Sequence, residues 1–151
     1  MNVARMNRGD KTKRINEELS KLIKTVDQKW TWLVITEGWC GDAAQSIPIL
    51  VKLAELNPNF DIKFVLRDAH SELMDAYLTN GTRSIPKLII FSTETLEELY
   101  TWGPRPSAAQ AITDDYKKKN LTYEEYSLQL HSWYAKDKYQ SVQNELLSLL
   151  S

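Results

Sequence analysis

A single cysteine, Cys40, stands in the stretch Glu37-Gly38-Trp39-Cys40-Gly41-Asp42-Ala43, where an apolar run ends and an amphipathic pattern begins. A thiol at a helix N-terminus faces backbone N–H groups that have no intrahelical acceptor, together with the positive end of the helix dipole, so its thiolate is favoured there. Cys40 is therefore a candidate nucleophile. Glu37 and Asp42 are nearby anions that work against a thiolate, and Lys87 or Arg83 could offset them. The two histidines, His70 and His131, lie at no motif position, and with one cysteine they give no metal-ligand spacing, so no metal is expected.

The elements that must position Cys40 follow from periodicity. Ile15, Leu19, Leu22, Ile23 and Val26 recur at helical spacing and predict an amphipathic helix over 11–28. Trp30 to Thr36 is an almost uninterrupted β-branched and aromatic run, the pattern of a strand buried on both faces, and it leads straight to the cysteine. Gly41 to Leu56 reads as a helix interrupted by Pro48, with Asn57-Pro58-Asn59 as its stop. Phe60 to Leu66 is a second strand, and the helix between makes the pair parallel. A short helix is expected over 71–78, capped by Ser71 or Asp68 and ended by Asn80-Gly81.

Pro86 precedes an apolar strand that ends near Phe91, and the Ile85–Pro86 bond is a candidate for cis. Thr93-Glu94-Thr95 is a turn to an antiparallel strand over 97–102, broken by Gly103-Pro104-Arg105-Pro106. The remainder is helical: one helix to about Lys119, a second opened by a capping box at Thr122, and a last one capped by Asp137 with Gln140. The aromatic residues from Tyr123 to Tyr139 are expected to pack against the sheet or the first helix.

With 151 residues, 42% hydrophobic and 26% charged, the chain has the size and composition of one globular domain. Nineteen basic residues (Lys+Arg 19) against twenty acidic ones (Asp+Glu 20) leave no electrostatic footprint for nucleic acid. One cysteine excludes an intramolecular disulfide, the polar, basic Met1 to Arg14 contains no apolar signal core, and no run approaches the ~20 apolar residues of a membrane span. These features predict a cytoplasmic protein.

The element order, with Trp39-Cys40-Gly41 at the first strand-to-helix junction, Pro48 eight residues past the cysteine, Arg83-Ser84-Ile85-Pro86 before the third strand and Gly103 after the fourth, resembles the thioredoxin family. The likeness covers roughly residues 11–119, with a helical extension over about 120–151, all within a single domain. It implies an α/β thioredoxin-like fold: a central mixed four-stranded sheet in the order βαβαββα, flanked by helices. It also implies a cis-Pro86 opposite Cys40 and a substrate groove bordered by Trp39, Gly41, Asp42, Ser84, Ile85, Pro86 and Gly103.

This sequence departs from the family where chemistry is concerned. The family's second cysteine is Ala43, the proline between the cysteines is Asp42, and the buried acid six residues before the nucleophile falls at Val34. A dithiol reductase is therefore not expected. What is left is monothiol exchange through Cys40 with a disulfide-containing protein or small thiol, resolved by glutathione or another low-molecular-weight thiol as co-substrate, with no bound cofactor. Alternatives of other classes are a non-catalytic scaffold or peptide-binding module, and a redox sensor at Cys40. Peroxiredoxin chemistry is disfavoured, because the threonine that family places three residues before its cysteine is Glu37 here.

Overall fold

The computed structural model describes residues 15–37 and 41–151. Helix α1 spans Glu17–Thr25, β1 Trp30–Thr36, α2 Gly41–Ala54, β2 Phe60–Leu66, α3 Ser71–Asp75, β3 Lys87–Ser92, β4 Glu98–Trp102, α4 Ser107–Lys119, α5 Tyr123–Asp137 and α6 Gln140–Leu150. The sheet order is β2-β1-β3-β4, with β1 parallel to β2 and antiparallel to β3, and β3 antiparallel to β4. The mixed four-stranded α/β architecture expected from the sequence is the one observed.

Alternation along β1 divides the core in two. Trp30, Trp32 and Val34 face one side, where Leu19 and Ile23 of α1, Ile47, Leu50 and Leu53 of α2, and Val142, Leu146 and Leu150 of α6 complete the larger cluster. Ile35 faces the other side with Met74, Ile85 and Ile89, and among the described residues the helix that contributes to this cluster is the five-residue α3. Burial of β1 on both faces explains its unbroken apolar run.

The stop after α2 also ties the helices together. Asn57 is buried; its Nδ2 donates to the carbonyls of Ile23 and Val26, 2.8 Å each, and its Oδ1 accepts from the Asn59 amide. Asn57→Ala would leave these two carbonyls only the longer bonds from the Val26 amide (3.3 Å) and Asn59 Nδ2 (3.5 Å), and the expected loss is about 1–2 kcal/mol, read from the urea midpoint.

Several expectations need correction, among them the first helix, expected over 11–28 and observed at Glu17–Thr25 with Asn16 as its N-cap. The helix at Ser71 has five residues rather than eight: the Ala76 amide is shared between the Glu72 and Leu73 carbonyls, the Tyr77 amide reaches back only to Met74, and an isolated bridge between Thr79 and Thr82 turns the chain at Asn80-Gly81. Its N-cap is His70, without a side-chain cap, and Asp68 instead accepts from Arg67 Nε.

Of the aromatic residues from Tyr123 to Tyr139, Tyr139 packs against the larger core cluster as expected, whereas Tyr126, Trp133 and Tyr134 of α5 do not. Leu130 and Tyr134 pack with Ala109 of α4, flanked by Tyr126 and Trp133, as a third cluster. The sheet face is already filled by α1, α2 and α6, which leaves α5 to lie on α4. Tyr139 rather than Asp137 or Gln140 holds the N-cap position of α6, where Lys138 and Tyr139 both have positive φ and reverse the chain. Asp137 still satisfies a helix end, accepting from the Ser141 amide. Thr122 caps α5 as expected, through the Glu125 amide.

Candidate active site at one end of the sheet

Sheet register gathers the site. Ile35 near the end of β1 pairs with Lys87 at the start of β3, and Leu88 pairs with Trp102 at the end of β4. The chain leaving β1 at Glu37, the proline before β3 and the glycine after β4 therefore share one end of the sheet. Helix α2 starts from this end at Gly41. Trp39 and Cys40 themselves lie outside the described residues, between two that flank the site.

Two cis peptide bonds, Ile85–Pro86 and Gly103–Pro104, lie at this end. Gly103 has φ +111, and a Cβ built on it would stand 2.4 Å from the Pro86 carbonyl oxygen. Only glycine fits there, on both counts. The Ile85 side chain is buried with Ile35, Met74 and Ile89. Ser84 is half-buried, its hydroxyl 2.6 Å from that of Thr82.

Lys87 reaches sideways from the start of β3. Its Nζ donates to Thr79 Oγ1 at 3.2 Å and to the Gly103 carbonyl at 3.3 Å, and burial lowers its pKa. It lines a cleft of about 600 Å³ with Trp102, Gly103, Arg105, Gln110 and Glu145. Arg83, the other cation considered for the thiol, is committed to Asp75 on the surface at 2.8 Å.

Asp42 lies in the first turn of α2, where its charge suits the helix dipole, yet it is buried. Arg105 Nη2 stands 3.1 Å from Asp42 Oδ2, with Nε at 3.2 Å, while the Tyr134 hydroxyl donates to Oδ1 at 2.5 Å. Arg105 Nη1 donates onward to Gln110 Oε1 at 2.6 Å. Burial opposes the Arg105 charge, but the Asp42 carboxylate more than compensates and raises its pKa. Tyr134 is pushed upward by burial and by the same carboxylate, so it remains a phenol and a donor. Glu37 is buried too, and its Oε1 accepts from the Asp68 amide at 2.9 Å.

Of the residues expected around a groove, the structure brings Gly41, Ser84, Pro86 and Gly103 to the same end of the sheet. It turns Asp42 inward onto partners within the chain. Arg105, Tyr134, Gln110 and Glu145 were not anticipated. The available signal for Arg105 was its place between Pro104 and Pro106, which fix the backbone on both sides of it. Glu145 carried none: it comes from α6, accepts from Trp102 Nε1 at 2.9 Å and holds the Ser107 amide at the start of α4.

A mixed sheet of this order, with a helix that starts after β1 at the end of the sheet holding a cis-proline, defines a thioredoxin-like fold. The chain belongs to the thioredoxin family: the family model described as thioredoxin matches residues 1–117. Among solved structures, a protein of unknown function from Pseudomonas aeruginosa is similar, with a TM-score of 0.70 and 16% identity, over 97% of this chain and 82% of the other. An HIV epitope-scaffold gives 0.66 and 17%, over the same 97% and 82%. At such identities the likeness speaks for the fold alone. No curated protein sequence matches the chain. Among the described residues no group of histidine, cysteine and acidic side chains could hold a metal ion, and no helix is long and apolar enough to cross a membrane.

Proposed function

We propose that this protein carries out thiol–disulfide exchange through Cys40 as a monothiol. The observation that carries the reading is the juxtaposition of cis-Pro86 and Gly103 with the junction between Glu37 and Gly41, in which the chain's one cysteine falls. The Cys40 thiolate attacks one sulfur of a disulfide, forms a mixed disulfide and expels the other sulfur as a thiolate. Ala43, buried on α2, offers no second thiol. A thiolate from outside, glutathione or another small thiol, then attacks the mixed disulfide, carries away the bound half and regenerates Cys40. The net change is one disulfide exchanged for another, so no separate oxidant or reductant is consumed.

Ser84, Pro86 and Gly103 line the substrate backbone in this reading, and Trp39 and Gly41 flank the thiol. The substrate is a disulfide-bearing protein or a small disulfide, met in a reducing, cytoplasmic setting. Neither nucleic acid nor membrane enters. Incubating the native protein with glutathione disulfide should give one glutathionyl adduct per chain by intact-mass spectrometry. Added thiol should reverse it, and Cys40→Ser should abolish it. A Cys40 that alkylates readily in the native state yet forms no adduct would identify a binding scaffold instead.

A further inference from the structure

We propose that the outer edge of β2 pairs with the same edge of a second copy of this chain, joining two sheets into one across a two-fold axis at Ile62. The sheet order leaves β2 without a neighbour on that side among the described residues. The Trp30 amide donates to the Asn59 carbonyl and the Arg67 amide to the Thr36 carbonyl, so the odd-numbered residues of β2 turn their N–H and C=O toward β1. Phe60, Ile62, Phe64 and Leu66 turn theirs away from it. The Phe60 amide and the Leu66 carbonyl are satisfied by Asn57 and Ala69. The N–H and C=O of Ile62 and Phe64 face the open edge.

This edge lacks the devices that commonly keep strands apart. At the other side of the sheet, β4 has five residues and a register shift at Ile90/Phe91. β2 has seven residues in unbroken register with β1, and no proline. Phe64 and Leu66 continue the apolar face begun by Phe60 and Ile62, yet they are 47% and 53% exposed. On the opposite face Asp61 and Lys63 are exposed, and a lysine alone there would guard the edge. With Asp61 two positions away, the charges instead select a partner and a register. Antiparallel pairing centred on Ile62 sets Asp61 opposite Lys63 of the second copy, twice by symmetry, and Phe64 opposite Phe60 of the second copy. Centring on Asp61 or on Lys63 would set like charges face to face. Centring on Phe64 would set Asp61 against Arg67 of the second copy, a side chain already engaged with Asp68 and the Arg83 carbonyl. In the Ile62 register the two Ile62 residues exchange both backbone hydrogen bonds, and each Phe64 amide donates to the Phe60 carbonyl of the second copy. The two candidate sites then lie at opposite ends of the shared sheet.

The test is sedimentation velocity of the full chain over a wide concentration range, with a reducing agent present so that no disulfide joins the copies. The chain should form a concentration-dependent dimer, and the Ile62 and Phe64 amides should exchange with deuterium more slowly as the dimer fills. Lys63→Glu should weaken the dimer about tenfold, because two attractive pairs become repulsive. Asp61→Lys together with Lys63→Glu exchanges the charges and should restore it. Phe64→Pro removes an outward amide and should abolish the dimer, with far-UV circular dichroism as the check on folding; if that variant does not fold, the charge exchange carries the test. A chain that stays monomeric or associates open-endedly would overturn the proposal. So would a dimer that Lys63→Glu leaves unchanged, or whose loss the double variant does not restore.

Discussion

Arg105→Met should cost about 3–5 kcal/mol of stability, because it leaves the Asp42 carboxylate buried without its cation. The side chains of Arg105 and Asp42 are only 12% and 8% exposed, so solvent cannot replace the lost partner. An ion pair in water would give a far smaller effect, as Arg83–Asp75, about half exposed on both sides, should demonstrate with a loss well under 1 kcal/mol. The asymmetry has a further signature. Removing both charges together, as Asp42→Asn with Arg105→Met, should cost less than the sum of the single changes, since no uncompensated charge remains. Urea unfolding of the four proteins in the cycle gives the coupling directly.

Gly103→Ala should cost about 3 kcal/mol or more, from two causes acting at once. A φ of +111 is outside what an L side chain adopts readily, and the added Cβ would meet the Pro86 oxygen at 2.4 Å. That oxygen is backbone, so no side-chain rotation can relieve the contact. Gly81 provides the control: its φ is +78 but nothing lies within 4 Å of an added Cβ, and Gly81→Ala should cost only about 1–2 kcal/mol. Any Gly103→Ala protein that folds must move Pro86, and its glutathionyl adduct should form more slowly than that of Gly81→Ala.

The strands and their sequence along the chain were legible from their apolar and β-branched runs. Trp30 to Thr36 reads as buried on both faces and is so, and Pro86 and Gly103 lie at the same end because the strands alternate in direction. Helices α2 and α4 begin where Gly41 and the proline pair require. What could not be read was which partner a helix chooses. The stripe of α5 says only that one face is buried; that α6 had already filled the sheet face, sending α5 to α4, depends on contacts far apart in sequence. The partners of Asp42 were out of reach for the same reason. Two residues from the cysteine it reads as a groove residue, and its inward turn depends on Arg105 and Tyr134, 63 and 92 positions further along.

The Asn16 amide donates to Gln143 Oε1 at 2.6 Å, across a sequence separation of 127 residues, and beside it Leu19 and Ile23 share a core with Val142, Leu146 and Leu150. Loops of that length close slowly compared with the turns of a local hairpin. During synthesis, helix α1 is made well before α6 and must wait for it. Its apolar stripe stays without a lid until α6 has left the ribosome, so this core closes only once the chain has emerged through Leu150.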